Sequence, residues 1–158
     1  MKWKMLKRAG ILALAISTCA INSYPVIASD DSEITNEETT EDHAEDISYS
    51  RLRGNNLNYG KTEITKLSSD EVNLYGHTQC HHICSKVYLD ISLERKINGS
   101  YSTYKSWEFT DTNTSNISKS INVLVPSGYY YRVRGYHAAT DGGIKESTTT
   151  LTSGIKVN

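Results

Sequence analysis

Lys86-Val87-Tyr88-Leu89-Asp90-Ile91-Ser92-Leu93-Glu94-Arg95 is the stretch that decides the fold. Val87, Leu89, Ile91 and Leu93 alternate with Tyr88, Asp90, Ser92 and Glu94, a period of two that buries one face of a strand and wets the other. Working outward, the runs 62–67, 71–78, 101–110, 117–125, 129–138 and 144–151 are rich in Tyr, Thr, Val and Ile and read as further strands. No segment keeps a 3.6-residue apolar period over three turns. Ile117, Ile121, Val123 and Val125 point inward, Tyr129, Tyr131 and Val133 share a face, and Asp141-Gly142-Gly143 makes the last hairpin turn. Seven short strands at this spacing predict an all-β sandwich of two layers over residues 54–158.

The turn after the deciding strand sets a register. A two-residue Asn98-Gly99 turn pairs Leu89 with Glu108 and Asp90 with Trp107, mixing core with surface. A three-residue loop pairs Lys96 with Ser100, and sets Val87 opposite Phe109, Leu89 opposite Trp107 and Leu93 opposite Thr103. A slip of one residue flips every side chain, so the second register is expected, with Gly99 as the left-handed residue of a bulge.

Residues 1–28 read as a secretory signal peptide, helical in its apolar part. Lys2, Lys4, Lys7 and Arg8 precede an apolar run from Ala9 to Ile21, and Val26-Ile27-Ala28 supplies a cleavage site. The run is shorter than the roughly 20 residues a membrane span needs, so no stable span is expected after cleavage. A lipoprotein reading at Cys19 is the weaker alternative, because Thr18 is atypical before a lipidated cysteine. The expected location is therefore extracellular, released or loosely held at the cell surface.

Charge divides the rest. Ser29–Asp46 carries nine acidic residues and no Lys or Arg, whereas residues 47–158 carry thirteen Lys and Arg against nine acids. So few apolar side chains cannot repay the entropy of ordering, and residues 29–53 are expected to form an acidic disordered linker. A propeptide, or a tail shielding the basic face of the domain, is the other reading. A domain of about +4 gives no argument for nucleic acid.

Two resemblances attach to the C-terminal half. Leu124, Pro126, Gly128 and Tyr131-Arg132-Val133 resemble the E–F corner of fibronectin type III modules, which implies an immunoglobulin/fibronectin III-like sandwich and makes Tyr131 a structural tyrosine corner. Ser127 is inserted relative to that pattern, so the resemblance reaches the fold and Tyr131 alone. The run Gly128-Tyr-Tyr-Tyr-Arg-Val-Arg-Gly-Tyr-His137 with Glu146-Ser147, Cys80, Cys84 and the deciding strand resembles a family of small secreted proteins of Gram-positive bacteria, a domain of unknown function. That resemblance covers roughly residues 54–155 and implies export and fold, not activity.

The densest chemistry lies in His77-Thr78-Gln79-Cys80-His81-His82-Ile83-Cys84, where His77, Cys80, His81, His82 and Cys84 are ligands of the kind Zn²⁺ or Cu⁺ prefers. One short loop rarely surrounds an ion, and outside the cell a local Cys80–Cys84 disulfide is the first reading. In an extended strand the two would stand roughly 13 Å apart, so a bridge requires a tight turn there. Free thiols are the remaining alternative. Tyr130, Arg132, Arg134 and Tyr136 share a strand face that suits a glycan, an anionic wall polymer or a protein partner. The same four residues equally suit plain cross-strand stabilisation. His137 is expected to be a satisfied residue near a loop rather than a ligand.

No nucleophile elbow, zinc-protease motif, phosphate loop or dinucleotide fingerprint occurs. Asp90 and Glu94 share a face but lie roughly 13 Å apart by strand rise, beyond the about 9.5 Å that paired glycosidase carboxylates use. The sequence therefore predicts a secreted, non-enzymatic binding module without a cofactor. The alternative is an extracellular metal-binding protein using the His77–Cys84 loop.

Overall fold

The computed structural model describes residues 38–50 and 54–158. The signal peptide and the linker before residue 38 lie outside these. The described residues form seven strands and no helix: β1 (His43–Tyr49), β2 (Leu57–Lys66), β3 (Glu71–Ile97), β4 (Ser100–Leu124), β5 (Tyr129–Asp141), β6 (Ile144–Leu151) and β7 (Ile155–Val157). All ladders between them are antiparallel.

One continuous sheet folds back on itself into two layers. The first contains β1, β2, the start of β3 (71–79) and the end of β4 (116–124). The second contains the start of β4, the end of β3 (84–97), β5 and β6, with β7 continuing beside the start of β5. The long β3–β4 hairpin thus serves both layers. It bends where the β3–β4 register shifts between Gln79 and Cys84, and where Asn113 takes a left-handed φ of 53°. The runs 71–78 and 86–95 are one strand, as are 101–110 and 117–125, because the bend does not interrupt the backbone pairing with a turn.

The deciding strand behaves as its alternation dictates. Val87, Leu89, Ile91 and Leu93 are fully buried, and Val72, Leu74, Ile64, Val123, Tyr131 and Val133 join them in one core, with Trp107, Phe109 and Ile121 packed at its margin. Tyr129 stays 39% exposed, its ring covered by the Arg95 guanidinium at 4.9 Å.

The hairpin register departs from expectation. Ile97 pairs with Ser100 across a two-residue turn, Asn98 and Gly99 having φ of 51° and 84°, the type I′ signature. The extra residue sits in β4 instead: Glu94 pairs with Thr103 and Leu93 with Lys105, so Tyr104 bulges. Beyond the bulge Leu89 faces Phe109 and Ile91 faces Trp107. Apolar groups are kept together, but by a strand bulge and not by one at Gly99.

Of the expected linker, only residues 38–50 are among those described, and there the composition does not decide the outcome. His43–Tyr49 is an ordered edge strand, because each acid finds a partner on the domain. Lys61 Nζ lies 2.8 Å from Glu45, Lys66 Nζ lies 3.2 Å from Asp42, and Asp46 accepts the Leu151 amide at 2.8 Å. Glu38 pairs with Lys96 and forms a bridge to Gly154. Glu38, Asp42 and Glu45 each thus meet a lysine of the domain. Ser48 Oγ meets Thr148 Oγ1 at 2.7 Å, closing the side of the sandwich between β1 and β6.

Candidate binding face

Strand alternation gives each layer an outer face, and the two faces differ. On the second layer, the four residues Tyr130, Arg132, Arg134 and Tyr136 are already engaged. Glu94 lies between the arginines, 2.6 Å from Arg132 Nε and 2.8 Å from Arg134 Nε. Arg132 is buried, 5% exposed, and stacks on the Tyr101 ring at 4.0 Å. Lys145 covers both Tyr88 (4.4 Å) and Tyr136 (5.5 Å), and Lys156 covers Tyr130 at 5.7 Å. These residues stabilise the sheet across its strands. On the expected ligand face, Arg132 is thus buried and both arginines are paired with Glu94, Arg134 staying partly exposed.

The outer face of the first layer is open. Tyr49 from β1, Tyr59 from β2, and Tyr75 and His77 from β3 form a row of rings, with centroids 5.8 Å (Tyr49–Tyr59), 5.7 Å (Tyr59–His77) and 6.5 Å (Tyr75–His77) apart. Tyr75 and His77 are nearly parallel, at 5°. A hollow of about 360 Å³ is lined by Tyr59, Lys61, Glu63, Tyr75 and His77. Among the described residues no cation stacks on Tyr49, Tyr59 or Tyr75. Lys61 reaches 2.8 Å to Glu45 and 2.6 Å to Glu63. The hydrogen bonds to Glu45 and then Glu63 hold its ammonium above the usual lysine range, and the same Lys61 bond holds Glu45 below the usual carboxylate range. A palisade of amides and hydroxyls follows: Asn73 donates to Ser120 Oγ at 2.9 Å and to Asn122 Oδ1 at 2.7 Å.

The His77–Cys84 ligand set is not assembled. His77 and Gln79 lie on the wet face and share a 3.3 Å contact, Cys80 and Cys84 turn inward, and His81 and His82 are exposed. His82 Nε2 instead meets Asp141 at 3.3 Å, which holds that carboxyl below its ordinary value. Alternation along β3 separates residues that a metal needs together. Among the described residues, the group that brings three ligand atoms close is His43, Glu45 and Glu63, where Lys61 already lies.

Cys80 and Cys84 are free thiols in the structure, not the expected bridge. The chain there crosses between the layers on a bulge, residues 80–83 of β3 standing against Ser115 alone of β4, so the pair closes no hairpin turn. Cys84 Sγ faces the carbonyls of Asn56 at 3.9 Å and His82 at 3.7 Å, and burial pushes Cys80 up to about 12 and raises Cys84 as well. Tyr131 donates to the Pro126 carbonyl at 2.7 Å, the geometry of a tyrosine corner. His137 is not near a loop. It is fully buried between the layers, with Thr78 and Thr150 on its two ring nitrogens.

Sequence reasoning missed Tyr49, Tyr59 and Tyr75. The alternation Asn73, Tyr75, His77, Gln79 was visible, but a face built across three strands emerges only once β1 and β2 are set beside β3.

No curated protein matches the chain. Among solved structures, the sporulation control protein Spo0M from Bacillus subtilis is similar at 15% identity and a TM-score of 0.37, covering 73% of this chain. The chain spans about half the length of that structure, with 50% of it covered, and so distant a likeness carries no argument. The model of the Family of unknown function (DUF6147) matches residues 26–155, and the chain belongs to that family.

Proposed function

We propose that the protein is a secreted, non-enzymatic binding module that holds an extracellular ligand on the outer face of its first layer. The observation that carries this is the uncapped ring row around the hollow at Tyr59, Tyr75 and His77. Aromatic side chains give large contact area at small entropic cost, which makes them binding anchors when left open to solvent. The basic n-region and apolar run of residues 2–21 support export. The face is built on strands, so its geometry is held before any ligand arrives.

The test is binding of the full chain to intact Gram-positive cells. Tyr59→Ala and Tyr75→Ala are expected to reduce retention roughly tenfold each, as loss of interface tyrosines does. Arg134→Ala, on the opposite layer, should leave it unchanged. Retention lost with Arg134→Ala and kept with both tyrosine variants would place the ligand on the wrong layer for this reading.

A further inference from the structure

We infer that the ligand of this face is an uncharged polysaccharide chain; the inference rests on the binding face proposed above. The ring row is long and shallow. Four rings at centroid steps of 5.7–6.5 Å run across β1, β2 and β3. A compact solute would touch one or two of them. A linear polymer of flat, partly apolar rings covers all four, and pyranose rings offer that apolar C–H face at each repeat.

The polar surroundings match hydroxyl groups rather than charge. Lys61 is fixed between Glu45 and Glu63, so donor and acceptors stand side by side at set positions. Asn73, Ser120 and Asn122 extend the same mixed donor–acceptor pattern on the next strands. Hydroxyls both donate and accept, and so suit a surface on which neither role dominates.

Charge then selects among saccharides. Glu45, Glu63 and, at the start of β3, Glu71 outnumber Lys61 on this face. An anionic wall polymer would meet like charge. A cationic one would have to break the two ion pairs that already satisfy Glu45 and Glu63. An uncharged chain faces neither cost.

The experiment is electrophoresis of the full chain through native gels containing a β-glucan, a galactomannan, a xylan or poly(glycerol phosphate). It is paired with binding to cells treated with periodate, which cleaves sugar diols, or with protease. Retardation by at least one uncharged polysaccharide is expected, falling about tenfold in Tyr59→Ala and Tyr75→Ala and retained in Tyr75→Phe, which keeps the ring. Periodate, not protease, should abolish cell binding. Retardation by poly(glycerol phosphate) alone overturns the uncharged class and leaves the face standing. Cell binding that depends on Tyr59 and Tyr75 but is lost to protease and survives periodate makes the partner a protein, and also overturns it. Binding indifferent to both tyrosines, or no binding in any arm, brings down the face itself along with the saccharide.

Discussion

His137 Nδ1 donates to Thr78 Oγ1 at 2.9 Å in the sealed space between the two layers. The direction follows from the neighbours. Thr78 gives its own hydroxyl proton to the Tyr88 carbonyl at 3.0 Å, so it must accept from the ring. On the other side Thr62 donates to Thr150 at 2.9 Å, and Thr150 in turn donates to Nε2 at 2.9 Å. Every proton in the chain from Thr62 to Tyr88 points one way, which fixes a neutral imidazole with its proton on Nδ1. Gly60 makes the space, since a Cβ there would lie 2.2 Å from the His137 ring.

Burial first, then the charge of His77, pushes His137 down to about 4. An unfolded histidine titrates near 6.5. Between those values the unfolded chain binds the extra proton, so stability is full above pH 6.5 and falls as pH drops toward 4. From pH 7.5 to pH 5 this amounts to about 2 kcal/mol. Urea midpoints at the two pH values should show it, and His137→Asn should remove most of the difference. A wild-type midpoint that is flat over this range would show that the imidazole is not held neutral by the fold.

Glu94 sets a second, sharper expectation. Burial alone would raise its carboxyl, but hydrogen bonds from Arg134 and Arg132 outweigh that and leave it below its ordinary value. The Arg132 side chain is 6% exposed against 38% for Arg134. Glu94→Ala takes the carboxylate away from a buried guanidinium and should cost about 3–5 kcal/mol. Arg134→Ala removes a half-wet partner and should cost less than about 1 kcal/mol. Denaturant titration of both variants decides it, and equal losses would mean that burial of Arg132 does not govern this cluster.

Much of this fold is legible in the chain because alternation is a local signal. Val87, Leu89, Ile91 and Leu93 declare their face within eight residues, and Tyr131 announces the corner that it closes on Pro126. What is not legible depends on partners far away in sequence. His43–Tyr49 looks unfoldable by composition, and becomes a strand because Lys61 and the Leu151 amide receive its acids. Arg132 and Arg134 look like a free cationic face until Glu94 is placed between them. The Tyr104 bulge has no signature of its own, since a bulge is recognised only by which residues it leaves opposite each other.

The thiols offer a chemical check. Cys80 is 3% exposed and Cys84 fully buried, and burial holds both protonated at neutral pH. Only thiolates react readily, so both should resist iodoacetamide in the folded chain. In denaturant without reductant, mass spectrometry should find both alkylated. Two unmodified cysteines under denaturing conditions would reveal a bridge between them and contradict the free-thiol state.

Glu146 completes the set, and its variants separate charge from shape. Its carboxylate accepts three consecutive backbone amides, Asn55 at 3.0 Å on Oε1, and Asn56 at 3.0 Å and Leu57 at 2.8 Å on Oε2. Asn56 returns two bonds from Nδ2, to the carbonyls of Asp141 (3.2 Å) and Ile144 (3.0 Å). The approach to β2 in the first layer is thereby tied to the β5–β6 turn in the second. A hydrogen bond to a charged group contributes about 1.5–3 kcal/mol, and its loss leaves a shielded donor unpaired. Glu146→Ala should therefore destabilise by about 3 kcal/mol or more. Glu146→Gln keeps the length but must aim an amide at donors, whichever way it is turned, and so should recover less than half of that loss. Hydrogen exchange of the Asn56 and Leu57 amides reads the effect directly. If both amides stay protected in Glu146→Ala, the carboxylate is not what holds this segment against the second layer.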